Sequence, residues 1–129
     1  MIGYVGKIEE TTEQNSFFRQ VIYTGQHVQL VVMCLKPGED IGMEVHESVD
    51  QFFRIEEGEG KVIMDGEETV FDEGFGIIIS AGTQHNVVNT SQTEDLKLYT
   101  IYSPPNHPEG TVHKTKEEAM KAEEEEHNH

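Results

Sequence analysis

The chain has 129 residues, enough for one domain with a real core and too few for two of ordinary size. Its formal net charge of −16, with 9 Lys and Arg against 25 Asp and Glu, argues against the basic surface that nucleic acid or an anionic membrane requires. No apolar run approaches a spanning helix, residues 1–15 lack the pattern of a leader peptide, and the single cysteine, Cys34, has no internal disulfide partner, so a cytoplasmic protein is expected.

Residues 1–15 are polar after a short apolar start and are expected as an edge strand or arm. Residues 17–24, FFRQVIYT, read as a strand from their aromatic and β-branched content, and Gly25 turns them into residues 28–35, VQLVVMCL. Within that apolar run Cys34 reads as a small buried hydrophobe. Pro37-Gly38 punctuates the strand. Further on, Asp65-Gly66 separates residues 61–64 from 67–71 and is the dipeptide preferred in a two-residue hairpin turn. Two more turns, Asp72-Glu73-Gly74 and Ser80-Ala81-Gly82, lead into strands at 75–79 and 84–89, and residues 96–102 form the last strand. Short strands at regular spacing, with no helix expected before residue 115, describe an antiparallel barrel or sandwich over residues 1–114. Pro104, Pro105 and Pro108 stop the sheet. Residues 115–129 differ in character: Thr115-Lys116-Glu117-Glu118 has the form of a capping box and predicts a short helix from Lys116 to about Glu125. Glu123 to Glu126 are expected as a solvated end, with His127 and His129 as tail.

The chemistry concentrates between Pro37 and Gly60. Glu44 and His46 are two apart, so on an extended strand both side chains leave the same face. Gln51 lies at an odd separation from Glu44 and joins that face only after a turn, which residues 47–50 can supply. Gln51, Phe53 and Ile55 then alternate along one side of a second strand. His85 arrives from a separate element. Two imidazoles, a carboxylate and an amide oxygen form a candidate site for one divalent transition metal, with Zn, Fe, Mn or Ni all compatible with the mixed donors. The competing reading is a hydrogen-bonded polar patch without metal. Asn89, four residues after His85, is expected either to orient the site or to hold a turn. Phe53 and Tyr99 are read as core before pocket wall, His107 and His113 as surface before acid or base at the mouth, and Arg54 as an outer-face ion-pair residue.

The spacing of Gly38, His46, Gly58, Gly74, Gly82, His85 and Asn89 across two separated segments resembles the two motifs of the cupins. Glu44 stands where the family usually has its first histidine, Gln51 where it has glutamate, and Ser80 where it has proline. The resemblance implies an all-β fold, a small antiparallel double-sheet β-barrel of jelly-roll type. It implies a metal-binding protein acting on a small oxygenated organic molecule, with isomerase or dioxygenase chemistry. Type I phosphomannose isomerases are similar in ligand kind, with Gln, His, Glu and His. A non-catalytic small-molecule or sugar-binding module and a metal-free structural cupin are the alternatives. Cupins often pair by extending their sheets, which implies a homodimer; apolar residues between Phe17 and Tyr23 are candidates for that contact.

Overall fold

The structure, a computed structural model, describes residues 2–127. The elements in chain order are α1 (Ile8–Gln14), β1 (Arg19–Thr24), β2 (Gln29–Leu35), β3 (Asp50–Glu57), β4 (Gly60–Met64), β5 (Glu67–Phe71), β6 (Gly76–Ile79), β7 (His85–Asn89), β8 (Leu96–Ser103), β9 (Val112–His113) and α2 (Lys116–His127). The strands form two antiparallel sheets, six-stranded in the order β6-β3-β8-β2-β1-β9 and three-stranded in the order β5-β4-β7. They make a double-sheet jelly roll and do not close into a continuous barrel. Isolated bridges from Asp40 to Val88 and from Glu44 to His85 lay the chain between β2 and β3 along the free side of β7.

The alternation read from the sequence is the alternation of burial. In β3, Gln51, Phe53 and Ile55 are buried, while Leu96, Leu98, Thr100 and Tyr102 do the same along β8. These side chains meet Val31, Met33, Leu35, Val62 and Val87 in one core between the sheets. Each large aliphatic or aromatic side chain buried there contributes about 1.5–3 kcal/mol. At the β4–β5 hairpin, Asp65 and Gly66 take φ of 49° and 85°, the left-handed pair that a tight turn needs.

The first helix corrects the expectation of an edge strand or arm. Residues 8–14, IEETTEQ, combine good helix formers with Glu9 and Glu10 in the first turn, where their charge complements the helix dipole. Thr12 is buried and its hydroxyl donates to the Ile8 carbonyl at 2.7 Å. The Lys97 ammonium donates to the Glu13 carbonyl at 2.6 Å, placing a cation at the C-terminal end. β2 is buried on both faces, with α1 packed against it.

Two connections bring the chain's end back over the site. Gln29 is buried, and its carbonyl oxygen accepts from the backbone N–H of Asn106 and His107 at 3.1 and 2.9 Å. Its amide donates to the His107 carbonyl at 2.8 Å, so one side chain clamps the segment after β8. β9 then pairs with β1, Arg19 opposite His113. Helix α2 follows, with its start capped by Thr115, whose hydroxyl accepts from Glu118 N–H at 3.2 Å. The Glu118 carboxylate reaches back one residue beyond the cap, to Lys114 N–H at 2.7 Å. Ala119 is buried, and Lys116 pairs with Asp40. A Thr115→Ala substitution is expected to cost about 1 kcal/mol. It would be read as faster amide exchange in the first turn of α2 with little change elsewhere. The side chains of His127 and His129 lie outside the described residues.

Candidate metal centre and its cavity

Glu44 and His46 do not sit on a regular strand as expected. They belong to a connection held extended by single bridges: Glu44 exchanges both backbone hydrogen bonds with His85 at 2.8 and 2.9 Å, and the His46 carbonyl accepts from Gly82 N–H at 2.8 Å. The two side chains nevertheless approach each other, His46 Nε2 lying 3.5 Å from Glu44 Oε2. The His46 and His85 rings stand 5.4 Å apart between centroids. His85 is buried at the start of β7 and its Nδ1 lies 2.9 Å from the Thr83 carbonyl. A carbonyl only accepts, so Nδ1 carries the proton and Nε2 keeps the lone pair. Gln51 is buried in β3, and its amide donates to Thr100 Oγ1 at 2.9 Å.

Two ligand-type atoms here are buried without a hydrogen-bond partner, His46 Nε2 and Gln51 Oε1. The 3.5 Å approach of Glu44 to His46 therefore brings the two groups near each other without hydrogen-bond geometry. Burial pushes the Glu44 carboxyl up from 4.5 to about 7, with Arg19 pulling against it and Glu123 adding to it. The His46 imidazole is pushed below its ordinary value, first by burial, then by His85 and Arg19.

A cavity of about 430 Å³ opens beside these groups, lined by Arg19, Glu44, His46, His107, His113 and Glu123 among others. Gln51 and His85 do not line it. They lie behind it, His85 against His46 and Gln51 on the strand pair β3–β8. His107 is drawn to the wall by the Gln29 clamp, which corrects the surface assignment. Its Nε2 is 3.2 Å from the buried Tyr102 hydroxyl. Burial depresses the His107 imidazole to about 3, with smaller contributions from Arg19, His113 and His46. His113 also lines the cavity, and Glu123, expected in a solvated end, is carried there by α2.

Other candidates fall elsewhere. Asn89 holds a turn: its amide donates to the carbonyls of Leu35, Lys36 and Glu94, and its oxygen accepts from Ser91 N–H. Phe53 is core, whereas Tyr99 points to the opposite face of β8 and packs near Phe52, 6.3 Å between centroids. Arg54 pairs with Glu56 at 2.9 Å, the outer-face role expected of it. Burial raises the Cys34 thiol to about 11, consistent with an inert hydrophobe. Arg19 was missed from the sequence. The available signal was its two-residue spacing from Val21, which puts both side chains on one face of the strand.

The donor types fit a divalent ion: two imidazoles, an oxygen donor of each kind, and two buried polar atoms with nothing to satisfy them. Among the described residues no group of three or more His, Cys, Asp or Glu side chains could hold an ion as placed, so the candidate set depends on the Gln51 amide. The model of the cupin domain matches residues 31–102, more than half of the chain and all four candidate ligands. The chain is a cupin. This cupin is 50% identical over 127 residues to the uncharacterized protein YrkC of Bacillus subtilis, covering 93% of this chain and 67% of that one. It is 47% identical over 113 residues to the uncharacterized protein L612 of Acanthamoeba polyphaga mimivirus, covering 84% and 70%. The crystal structure of BH2720 from Bacillus halodurans superposes with a TM-score of 0.89 at 46% identity, over 92% of this cupin and 93% of that chain. KdgF from Halomonas sp., at 20% identity and a TM-score of 0.63 over 68% and 78%, shares the fold. Among the described residues no helix is long and apolar enough to cross a membrane.

Proposed function

We propose that this cupin is a divalent-metal-dependent enzyme acting on a small oxygenated organic molecule, with Glu44, His46, Gln51 and His85 holding the ion. The observation that carries this reading is the pair of buried, unpartnered donor atoms, His46 Nε2 and Gln51 Oε1. Each buried unsatisfied group costs about 1–3 kcal/mol, a cost that a bound cation removes. Thr83 fixes the His85 ring so that its lone-pair nitrogen is Nε2, the usual outer support of a metal-binding histidine. A bound ion would polarise a substrate carbonyl or hydroxyl oxygen.

The protein's own contribution is a shaped cavity whose lining groups can orient a substrate's oxygens. His107 lines the cavity with its ring fixed through Nε2 by Tyr102; held near 3 it stays neutral, so it offers a substrate oxygen a hydrogen bond and not a basic site. A second reading, a metal-free binding pocket, is favoured by the absence of any preformed cluster of His, Cys, Asp and Glu among the described residues.

Elemental analysis separates the two. The protein with His127→Ala and His129→Ala, reconstituted in turn with Zn, Fe, Mn and Ni, is expected to retain about one equivalent of ion per chain after desalting. No retained ion under any of these conditions would overturn the metal reading and leave the binding module.

A further inference from the structure

Arg19 is 2% exposed, ranks among the largest fully buried side chains, and lines the cavity. Among the described residues it is the sole Lys or Arg on that wall. Its Nη1 lies 3.4 Å from His113 Nδ1, and its guanidinium carbon lies 5.3 Å from the Phe18 ring centroid. Its Nε is buried with no hydrogen-bond partner. Among the described residues no carboxylate comes within ion-pair distance of it, although the chain carries 25 Asp and Glu. A guanidinium cannot shed its charge, so burying one without a counter-anion costs several kcal/mol. Glu44 and Glu123 border the same cavity, but neither comes within ion-pair distance of Arg19, so its guanidinium is left without a direct carboxylate partner.

We propose that Arg19 is the anchor for a carboxylate, and that the cavity takes a small organic acid bearing a hydroxyl or carbonyl next to that carboxylate. The inference rests on reading this cavity as the substrate site, and names the class of substrate. With one Nη1 donor directed at His113, four N–H donors of the guanidinium remain, Nε among them, and two adjacent ones match a carboxylate as a fork. The adjacent hydroxyl or carbonyl oxygen then has Glu44, His46 and His107 along the same wall. A volume of about 430 Å³ lies within the range of small-molecule sites and accommodates such an acid with room to spare. Glu44 and Glu123 border the same cavity, so one carboxylate can sit on Arg19 while a second anionic group on the ligand would be repelled by these acids. The ligand is therefore a monoanion.

The test uses the full chain in chelator, so that it does not depend on metal. Isothermal titration with lactate and pyruvate is compared with their uncharged counterparts, propylene glycol and hydroxyacetone, and with inorganic phosphate. The acids are expected to bind, weakening with salt, while the neutral compounds and phosphate bind at least about tenfold more weakly. Arg19→Met is expected to lose carboxylate binding about tenfold or more. Arg19→Lys, which keeps the charge without the fork, is expected to fall between and covers the case in which Arg19→Met does not fold. Equal binding of acids and neutral counterparts, no binding of either acid, or unchanged affinity in a folded Arg19 variant would overturn the assignment. Ion retention by the Arg19→Met protein, which keeps all four candidate ligands, tests the metal reading separately: acid binding can fail while the ion is retained, and the ion can be lost while acid binding persists.

Discussion

Replacing His46 by alanine is expected to lower the affinity for a divalent ion by about 100-fold or more, since losing even an outer partner of a ligand costs about 10–100-fold. His46 is the sharpest position for this test because its side chain is 12% exposed and borders the cavity, so truncation opens no sealed void. The same loss is expected for His85→Ala, although there the ring is buried and a folding check by near-ultraviolet circular dichroism must accompany the titration. Gln51→Glu runs in the opposite direction. It exchanges a neutral oxygen donor for a charged one and is expected to tighten binding, while in the absence of ion it buries a second carboxylate and destabilises the fold. Competition against a chelating dye reads all of these changes. Full stoichiometry in His85→Ala would remove that residue from the ligand set, and unchanged affinity in Gln51→Glu would show that the amide does not touch the ion.

What the sequence disclosed was whatever has a short period or a local cause. Gln51, Phe53 and Ile55 share a face because strand side chains alternate, and Asp65-Gly66 turns because both residues tolerate positive φ. Thr115 starts a helix for an equally local reason. The family motifs located Glu44, His46, Gln51 and His85 by spacing, and the fold places His46 between Glu44 and His85. What stayed hidden depends on contacts between distant parts of the chain. Helix α1 has only seven residues and no clear apolar stripe; its support comes from Lys97 and from packing on the sheet. His107 reaches the cavity because Gln29, far away in sequence, holds its backbone. Glu123 arrives with α2, which is seated by the Lys116–Asp40 pair and by Ala119. Arg19 was hidden by a different effect. A charge in a strand is ordinarily assigned to the solvent face, although Arg19 shares the face of Val21, and the pairing of β1 with β2 and β9 seats it inside.

In chelator, Glu44→Gln is expected to stabilise the protein at alkaline pH and leave it nearly unchanged near pH 4. The folded-state carboxyl is held at about 7 against an ordinary value of 4.5, chiefly because burial disfavours its charged form. Below 4.5 both folded and unfolded chains carry the proton, and Glu44 imposes no ionisation penalty. Between 4.5 and 7 the unfolded chain releases its proton first, so the wild-type protein loses stability as pH rises, and the loss levels off above about 7. The full shift would correspond to about 3 kcal/mol; with the Glu44 side chain 23% exposed, about 2 kcal/mol is expected. Glutamine has nearly the same shape and no charge to bury, so it escapes this loss. Urea unfolding of both proteins at pH 4, 6 and 8 gives the comparison, as a difference growing to about 2 kcal/mol at the highest pH. A difference that does not change with pH would mean that Glu44 ionises at little cost, through a closer approach of Arg19 or another cation. Adding the retained metal should reverse the order at pH 8, because the charge that is expensive in the empty protein is the one a divalent ion requires. Proton release from Glu44 on metal binding below pH 7 would then make the ion's apparent affinity rise with pH.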